Sequence, residues 1–490
     1  MTVMSIGRIF GWLAEQAPSR LALTDEHQTL TRRELDRRTN RLARAYQALG
    51  VRKDDLVTIA LPNGIAFYEA AIATWKLGAI PQPVSHRLPQ IEREAIVDLA
   101  NSKLVIGATR GSLGTRAVLS ADFVPDAQLS DEPLLDCVAT HWKAPTSGGS
   151  TGRPKLILSG FSGEFDPRAS VYRMETDRAH LVPGPLYHNA PFSISCRALM
   201  LGNHVVVMPK FDAEKTLENL ARYKIDYVLL VPTMMHRIWR LDPALRNTFD
   251  LSALRVVVHM AAPCPEWLKA EWINWLGPLR IHELYGGTEA QASTWIDGSE
   301  WLSHRGSVGK PQVGGRMKIV DEHGNELPPG KTGEVYMLPA TGRGTTYRYV
   351  GAEPKTWGEW ESLGDIGYLD ADGYLYLADR QTDMILRGGA NIYPAEVEAA
   401  LDAHPNVRSS VVIGLPDEGL GNRVHAIIDA PNGVGDAELL AHLADRLVQY
   451  KIPQSFEYVT SPLRDDAGKV RRSALRAARI AALNTQTQSS

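Results

Sequence analysis

The 490-residue sequence predicts an α/β protein. A large, multi-subdomain N-terminal domain with parallel sheets and a small β-rich part comes first, then a small mobile α+β C-terminal domain. Three observations carry this. Short, wholly apolar runs alternate with amphipathic segments, as buried parallel strands and crossover helices do. After Trp301 the pattern changes to hairpins, and beyond Arg380 a smaller helix-and-strand unit begins. The division is expected at 1–380 and 381–490, with the hinge over Asp379–Asp383.

Each element has a local reason. Thr31-Arg-Arg-Glu34 is a capping box, followed by a helical stripe through Leu35, Leu42, Tyr46 and Leu49, with Gly50 as the stop. Leu56–Leu61 reads as a strand, Ile65–Leu77 as a helix ending at Gly78, and Ala79–Val84 as extended chain. That β–α–β order implies parallel strands. Val205–Met208, Tyr227–Val231 and Leu254–Val258 read as buried strands. Ala213–Arg222, Thr233–Arg240 and Glu266–Leu276 read as the helices among them. Met317–Asp321 with Glu334–Met337, and Tyr368–Leu377 about Asp372-Gly373, read as hairpins. The small unit should hold helices at Pro394–Ala403 and Ala437–Gln449, a strand at Ser410–Ile413, a basic tail and a frayed Asn484–Ser490.

Composition narrows the function. A net charge of −3 offers no basic stripe for nucleic acid. Cys137, Cys196 and Cys264 are an odd, scattered set, which argues against disulfides or a zinc site and for a reducing compartment. Met1–Arg20 lacks a signal-peptide core, and no apolar run is long enough to span a bilayer. A cytoplasmic location is expected.

Chemistry concentrates in Thr146-Ser-Gly-Gly-Ser-Thr-Gly-Arg-Pro-Lys155. Its glycines let backbone N–H groups approach an anion, its hydroxyls add donors, and Arg153 and Lys155 add charge. The stretch suits an oligophosphate. It is not a P-loop, because Pro154 separates the last glycine from the lysine, and by itself it also reads as a solvated turn. Pro185–Phe192, Ala261–Pro265 and Tyr285–Glu289 are further loops at the carboxyl ends of strands, where ligands of such sheets bind.

With Pro185-Leu-Tyr-His188, Tyr285-Gly-Gly-Thr-Glu289, Gly364-Asp-Ile-Gly367, Asp379-Arg380 and Gly468-Lys469 in series, the chain resembles the adenylate-forming family of acyl-CoA synthetases, carrier-loading adenylation domains and luciferases. The likeness covers Ile9 to Arg476. Gly148–Leu156 and Pro185–Phe192 look like bacterial bile-acid and related acyl-CoA ligases. The family implies that a carboxylate attacks the α-phosphate of ATP, and that a thiol then takes the acyl group.

The resemblance implies roles residue by residue. Thr146, Ser147, Gly148, Gly149, Ser150, Thr151, Gly152 and Lys155 would cradle the β,γ-phosphates. Thr288 would contact the α-phosphate, and Glu289 would help hold Mg2+. Asp365 would take the ribose hydroxyls with Arg380 nearby. Ala261, Ala262, Pro263 and the Glu283, Leu284, Tyr285, Gly286 backbone would wall the adenine, with Tyr285 stacked on it. Lys469 would be the mobile catalytic lysine. Tyr187, His188, Phe192, His259, Met260 and Gly287 would border the acyl pocket, and His188, being non-acidic, favours an acid without an ammonium group. Arg387, Gly388 and Gly389 would line the tunnel for coenzyme A after the small domain rotates.

Each motif also has a plainer reading: a strand-terminal turn for Tyr285–Glu289, a hairpin residue for Asp365, a solvated lysine for Lys469. Two departures stand out. Thr382 occupies the family's usual acidic or lysine pivot, and Ser-Gly-Gly-Ser-Thr replaces Ser-Gly-Thr-Thr. The expected function is an ATP-dependent carboxylic acid–CoA ligase using ATP, Mg2+ and coenzyme A. Loading of a carrier protein is the rival, a non-catalytic nucleotide-binding module is the alternative from another class, and a homodimer stays open.

Overall fold

The computed structural model describes residues 3–109, 113–114, 116–148, 154–388, 390–417, 419–465 and 468–488. Parallel strands Ile281–Gly286, Val256–His259, Tyr227–Leu230, Ala179–Val182, His204–Val207 and Leu21–Thr24 form the middle of the largest sheet. They are mostly apolar, with a few buried histidines and Glu283 among them, because helices cover both faces. Tyr227, Leu229, Val256 and Val258 belong to one core, and Val228, Leu230 and Val257 to the core on the other face. This is the two-residue alternation of a strand.

The sheet continues through antiparallel Ser293–Asp297 and Ser307–Pro311 into the hairpin block Leu375–Arg380, Trp360–Leu369, Gly333–Pro339 and Gly315–Val320. The Asp372-Gly373 hairpin forms as expected, closed by the Asp370 N–H donating to the Tyr374 carbonyl at 2.9 Å. A second sheet pairs Ile80–Pro83, Leu56–Ile59, Leu104–Ile106 and Ala117–Leu119 in parallel. The capping box is present: Thr31 Oγ1 accepts from the Glu34 N–H at 3.3 Å, and Glu34 Oε2 accepts from the Thr31 N–H at 2.8 Å. It starts helix Arg32–Ala48.

Past Arg380 the chain leaves the large sheet. Ser409–Asp417, Gly421–Asp429 and Ser455–Val459 form a separate sheet, packed by helices Pro394–Asp402 and Asp436–Ala444. Three expectations need correction. The helix expected over Ala437–Gln449 ends at Ala444, because Leu447 turns in to pack on the small core and Gln449–Lys451 forms its own 3-10 turn. The basic tail is a helix, Arg472–Gln488, running through much of the stretch expected to fray. Leu475, Ile480 and Leu483 lay an apolar face on Val411, Ile413 and Leu415, a stripe hidden among arginines. Finally, the ends of Thr146–Lys155 are not loop: Thr146–Gly148 pairs antiparallel with Pro154–Ser159.

Candidate active site

The site lies where carboxyl ends of the central strands, the hairpin block and the small domain meet. Glu289 follows strand Ile281–Gly286 in a tight turn, and it is 6% exposed. Its Oε1 accepts from the Tyr349 hydroxyl at 2.5 Å and lies 3.6 Å from Lys155 Nζ. That ammonium also stands 3.8 Å over the Tyr349 ring. Register explains the meeting: Pro154–Ser159 pairs with Tyr347–Val350, setting Tyr349 opposite Ile157. A side chain at Gly287 would displace the Glu289 carboxylate or Leu363. A Cβ would lie 2.8 Å from Glu289 Oε2 and 2.5 Å from Leu363.

Asp365 and Arg380 are paired across adjacent strands, with Arg380 Nε 3.3 Å from Asp365 Oδ1. The Tyr285 hydroxyl donates to Asp365 Oδ2 at 2.7 Å. Burial, then the Asp365 carboxylate, pushes that phenol well above its usual pKa, so it stays a donor. Tyr285 is thus anchored by its tip, with its ring as a fixed wall. Ala261 holds φ +75, a left-handed conformation uncommon outside glycine, and is exposed beside Pro263. Thr288 and Gly286 are half-buried next to these groups.

Lys469 enters from the small domain. Its backbone N–H donates to Asp465 Oδ1 at 2.8 Å, and Asp465 N–H donates back to its carbonyl at 2.9 Å. Gly468, at φ +74, lets this turn touch the large domain: a Cβ there would be 2.8 Å from Thr233 Oγ1. The residue is exposed by area, yet protein packed round the ammonium lowers its pKa below the lysine range. Asp465 and Glu289 act against that shift, and Arg380 adds to it. The lysine therefore feels the carboxylate of one nucleotide motif and the guanidinium of another. His188 occupies the N-cap position of helix Asn189–Met200, its ring tilted against Tyr187 at 4.5 Å, and brings Nε2 to 3.9 Å from Asp465 Oδ2.

Other expected residues sit differently. Phe192 is fully buried, stacked on Trp142, tilted against Trp75 and edge-on to Phe67, so its ring packs the core. His259 is also fully buried, 3.8 Å from Glu283 Oε2, which takes the Lys269 ammonium at 2.6 Å. Burial holds the imidazole down at about 4. Both residues stand behind the pocket wall, whereas Met260 is half-buried at its edge. Leu284 packs into the same core as Phe192.

Thr146 Oγ1 accepts from Gln82 Nε2 at 3.1 Å, tying the hairpin to the second sheet. Gly149, Ser150, Thr151 and Gly152 lie outside the described residues, as do the side chains of Ser147 and Gly148 and all of Gly389. Arg387 donates to the Tyr450 carbonyl and Gly388 to that of Leu420, both contacts within the small domain. They are not brought to the Glu289 cluster. Among the described residues no group of three His, Cys, Asp or Glu could hold a metal. One carboxylate beside two lysines suits a magnesium ion arriving with phosphates, not a protein-only cage.

Sequence reasoning missed four participants. Tyr349 carried no motif. Asp465 precedes the lysine turn and braces it. Lys143, buried just before Thr146, donates to Ser193 Oγ at 2.5 Å and to Asn189 Oδ1. It thereby fixes the first turn of the His188 helix. Arg240 donates to the Pro405, His404 and Val407 carbonyls at 2.5, 3.0 and 3.4 Å, a latch between the domains. An arginine after a helix end gives no sequence sign of a distant partner.

Fold and site together define a two-domain, nucleotide-dependent enzyme. The chain belongs to the AMP-binding enzyme family, whose model matches residues 10–344, with the AMP-binding enzyme C-terminal domain matching 396–469. It is 32% identical to a feruloyl-CoA synthase from Amycolatopsis, over 94% of this chain and 96% of that protein. It is 30% identical to a 2-succinylbenzoate–CoA ligase from Bacillus licheniformis, over 94% and 98%. An o-succinylbenzoate CoA synthetase from Bacillus subtilis, solved with its acyl-adenylate intermediate, superposes with a TM-score of 0.81 at 26% identity, covering 97% of this chain and 99% of that one. No described helix is long and apolar enough to cross a membrane.

Proposed function

We propose that this protein is an ATP-dependent carboxylic acid–CoA ligase working in two half-reactions at one cleft. The observation that carries the reading is Lys469, presented by the small domain within the electrostatic reach of both Glu289 and Arg380. In the first half-reaction an acid oxygen bonds to the α-phosphorus of ATP, and the bond to pyrophosphate breaks. Lys155 and the 146–155 stretch would receive the outer phosphates. Thr288 and Lys469 face the α-phosphate, where negative charge gathers, and Asp365 with Arg380 holds the ribose. Tyr285, anchored through Asp365, supplies the flat face for the base. Glu289 would hold Mg2+, which shields the phosphate oxygens from the incoming carboxylate.

In the second half-reaction the thiol sulfur attacks the acyl carbon, its proton leaves, and AMP departs with the bonding electrons. Lys469 would withdraw first, so that the thiol can reach the acyl carbon. The small domain would turn about Asp379–Asp383 and present Arg387, Gly388 and Gly389 to the thiol arm. Asp379 links both sides of that hinge, since its Oδ2 accepts from the Ala395 N–H at 2.9 Å. His188 and Met260 border the acid. The pools of ATP and coenzyme A place this chemistry in the cytoplasm.

The test is acid-dependent pyrophosphate release, with and without coenzyme A, across fatty, aryl and steroid acids. Release with thioester formation in the presence of coenzyme A supports the ligase. Release with no thioester favours a carrier-protein acceptor, and no release with any acid favours a nucleotide-binding module.

A further inference from the structure

A set of unsatisfied donors lies at the far end of the acid's side of the cleft. Helix Asn189–Met200 begins beside the nucleotide loops with His188 and lies on the sheet face that carries Tyr227, Leu229, Val256 and Val258. Ile194 and Leu229 line one small cavity, which fixes the helix on that face. Between helix and sheet, Ala190, Met260, Tyr172 and Trp295 pack against the core yet stay only partly buried.

The nucleotide loops follow the carboxyl ends of these strands, whereas Tyr227 begins its strand and His282 stands near the start of its own. The neighbourhood of Tyr227, His282 and Trp295 is therefore the end remote from ATP. Arg197, nine residues after His188, stands about 13 Å down the helix.

Arg197 is a half-buried guanidinium without an ion pair among the described residues. Its one hydrogen bond is a long one, 3.5 Å to the Ser193 carbonyl of its own helix. It lies 4.7 Å from the Trp142 ring and 5.8 Å from the Tyr172 ring. Tyr172 stacks on Trp295, and Trp295 leans on His282. The Tyr227 hydroxyl, on a residue 1% exposed, and Trp295 Nε1 are both buried without a protein hydrogen-bond partner. Buried donors are rarely left so. A guanidinium, a phenol and an indole N–H thus gather round Tyr172, none of them with a carboxylate partner among the described residues.

We propose that this region is the distal end of the acyl pocket, and that the acid is elongated, with an oxygen acceptor opposite its carboxylate that Arg197 receives with the help of Tyr227 and Trp295. The inference rests on the ligase reading and deepens it. An anionic end group should be favoured over a hydroxyl, and a hydroxyl over a methyl, because the half-buried guanidinium has no counter-ion until an anion arrives. The apolar walls between the ends require an apolar middle.

The test is calorimetric binding to the full chain with AMP present, using dodecanoic acid and its ω-hydroxy and ω-carboxy counterparts. The expected result is at least about tenfold tighter binding of the ω-carboxy acid than of dodecanoic acid. Arg197→Met should remove that preference while leaving dodecanoic acid bound as before. Tyr227→Phe, which deletes one oxygen and keeps the ring, should weaken binding of the ω-oxygenated acids alone. Equal binding of all three acids, as expected if water satisfies these donors, overturns the inference, and so does a preference unchanged in both variants. Binding is read without turnover. Pyrophosphate release from other acids would then leave the ligase reading standing, and an ω-oxygen preference without any release would do the reverse.

Discussion

Glu289 takes the Tyr349 hydroxyl on one oxygen and is approached by lysines from two separate parts of the chain. Lys469→Ala should lower adenylation by about 100-fold or more, the usual cost of losing one charge-stabilising donor. Thioester formation from supplied acyl-adenylate should stay within a few-fold, and single-turnover assays of each half-reaction check both. Burial lowers the Lys469 pKa, so its charge is lost as pH rises before the ordinary lysine value of about 10.4 is reached. Adenylation should therefore fall on the alkaline side below that point, and a rate that stays flat up to it would contradict the assigned charge. At this scale the sequence showed which residue types were present but not which way they face. His188, Glu289, Asp365 and Lys469 were legible because their motifs state them. The inward turn of Phe192 and His259, and the arrival of Tyr349, depend on packing that no local pattern encodes.

Among the elements, two contacts decide whether the small domain closes. The Gly468 turn meets Thr233, and Arg240 holds carbonyls near the end of helix Pro394–Asp402. Arg240→Ala should slow adenylation by several-fold more than thioester formation, since these bonds hold the small domain where Lys469 faces the Glu289 side. Equal losses in both would mean a general structural role. The central strand holds a second dependency. Lys269 and Glu283 pair at 2.6 Å, each under a tenth exposed. Lys269→Met leaves the carboxylate buried and alone, which should cost about 3–5 kcal/mol in denaturant unfolding. The strands and crossover helices could be read from the sequence because apolar runs and caps are local. The terminal helix could not, because Leu475, Ile480 and Leu483 are diluted among arginines and its partners lie some sixty residues earlier.

Over the whole molecule, buried histidines make the large domain sensitive to acid. Burial holds His180 at about 3, and His204, His236, His259 and His282 at about 4, against 6.5 for an ordinary imidazole. The unfolded chain thus binds more protons than the folded one between pH 6.5 and about 4, so stability falls as pH drops through that window. Asp402, raised by burial to about 6, works in the opposite sense over part of the range, as do Glu69 and Asp379, whose carboxyls burial also raises, but these three stand against five imidazoles. Urea midpoints should decline steadily from pH 6.5 to 4, and a constant midpoint would contradict the burial of these rings.

The account depends on distant segments closing round one triphosphate and one acid. Exchange of labelled pyrophosphate into ATP without coenzyme A tests that most directly. It should require the acid and vanish in both Lys469→Ala and Glu289→Gln, while AMP still binds each variant. Exchange that needs no acid, or that survives both substitutions, would contradict it.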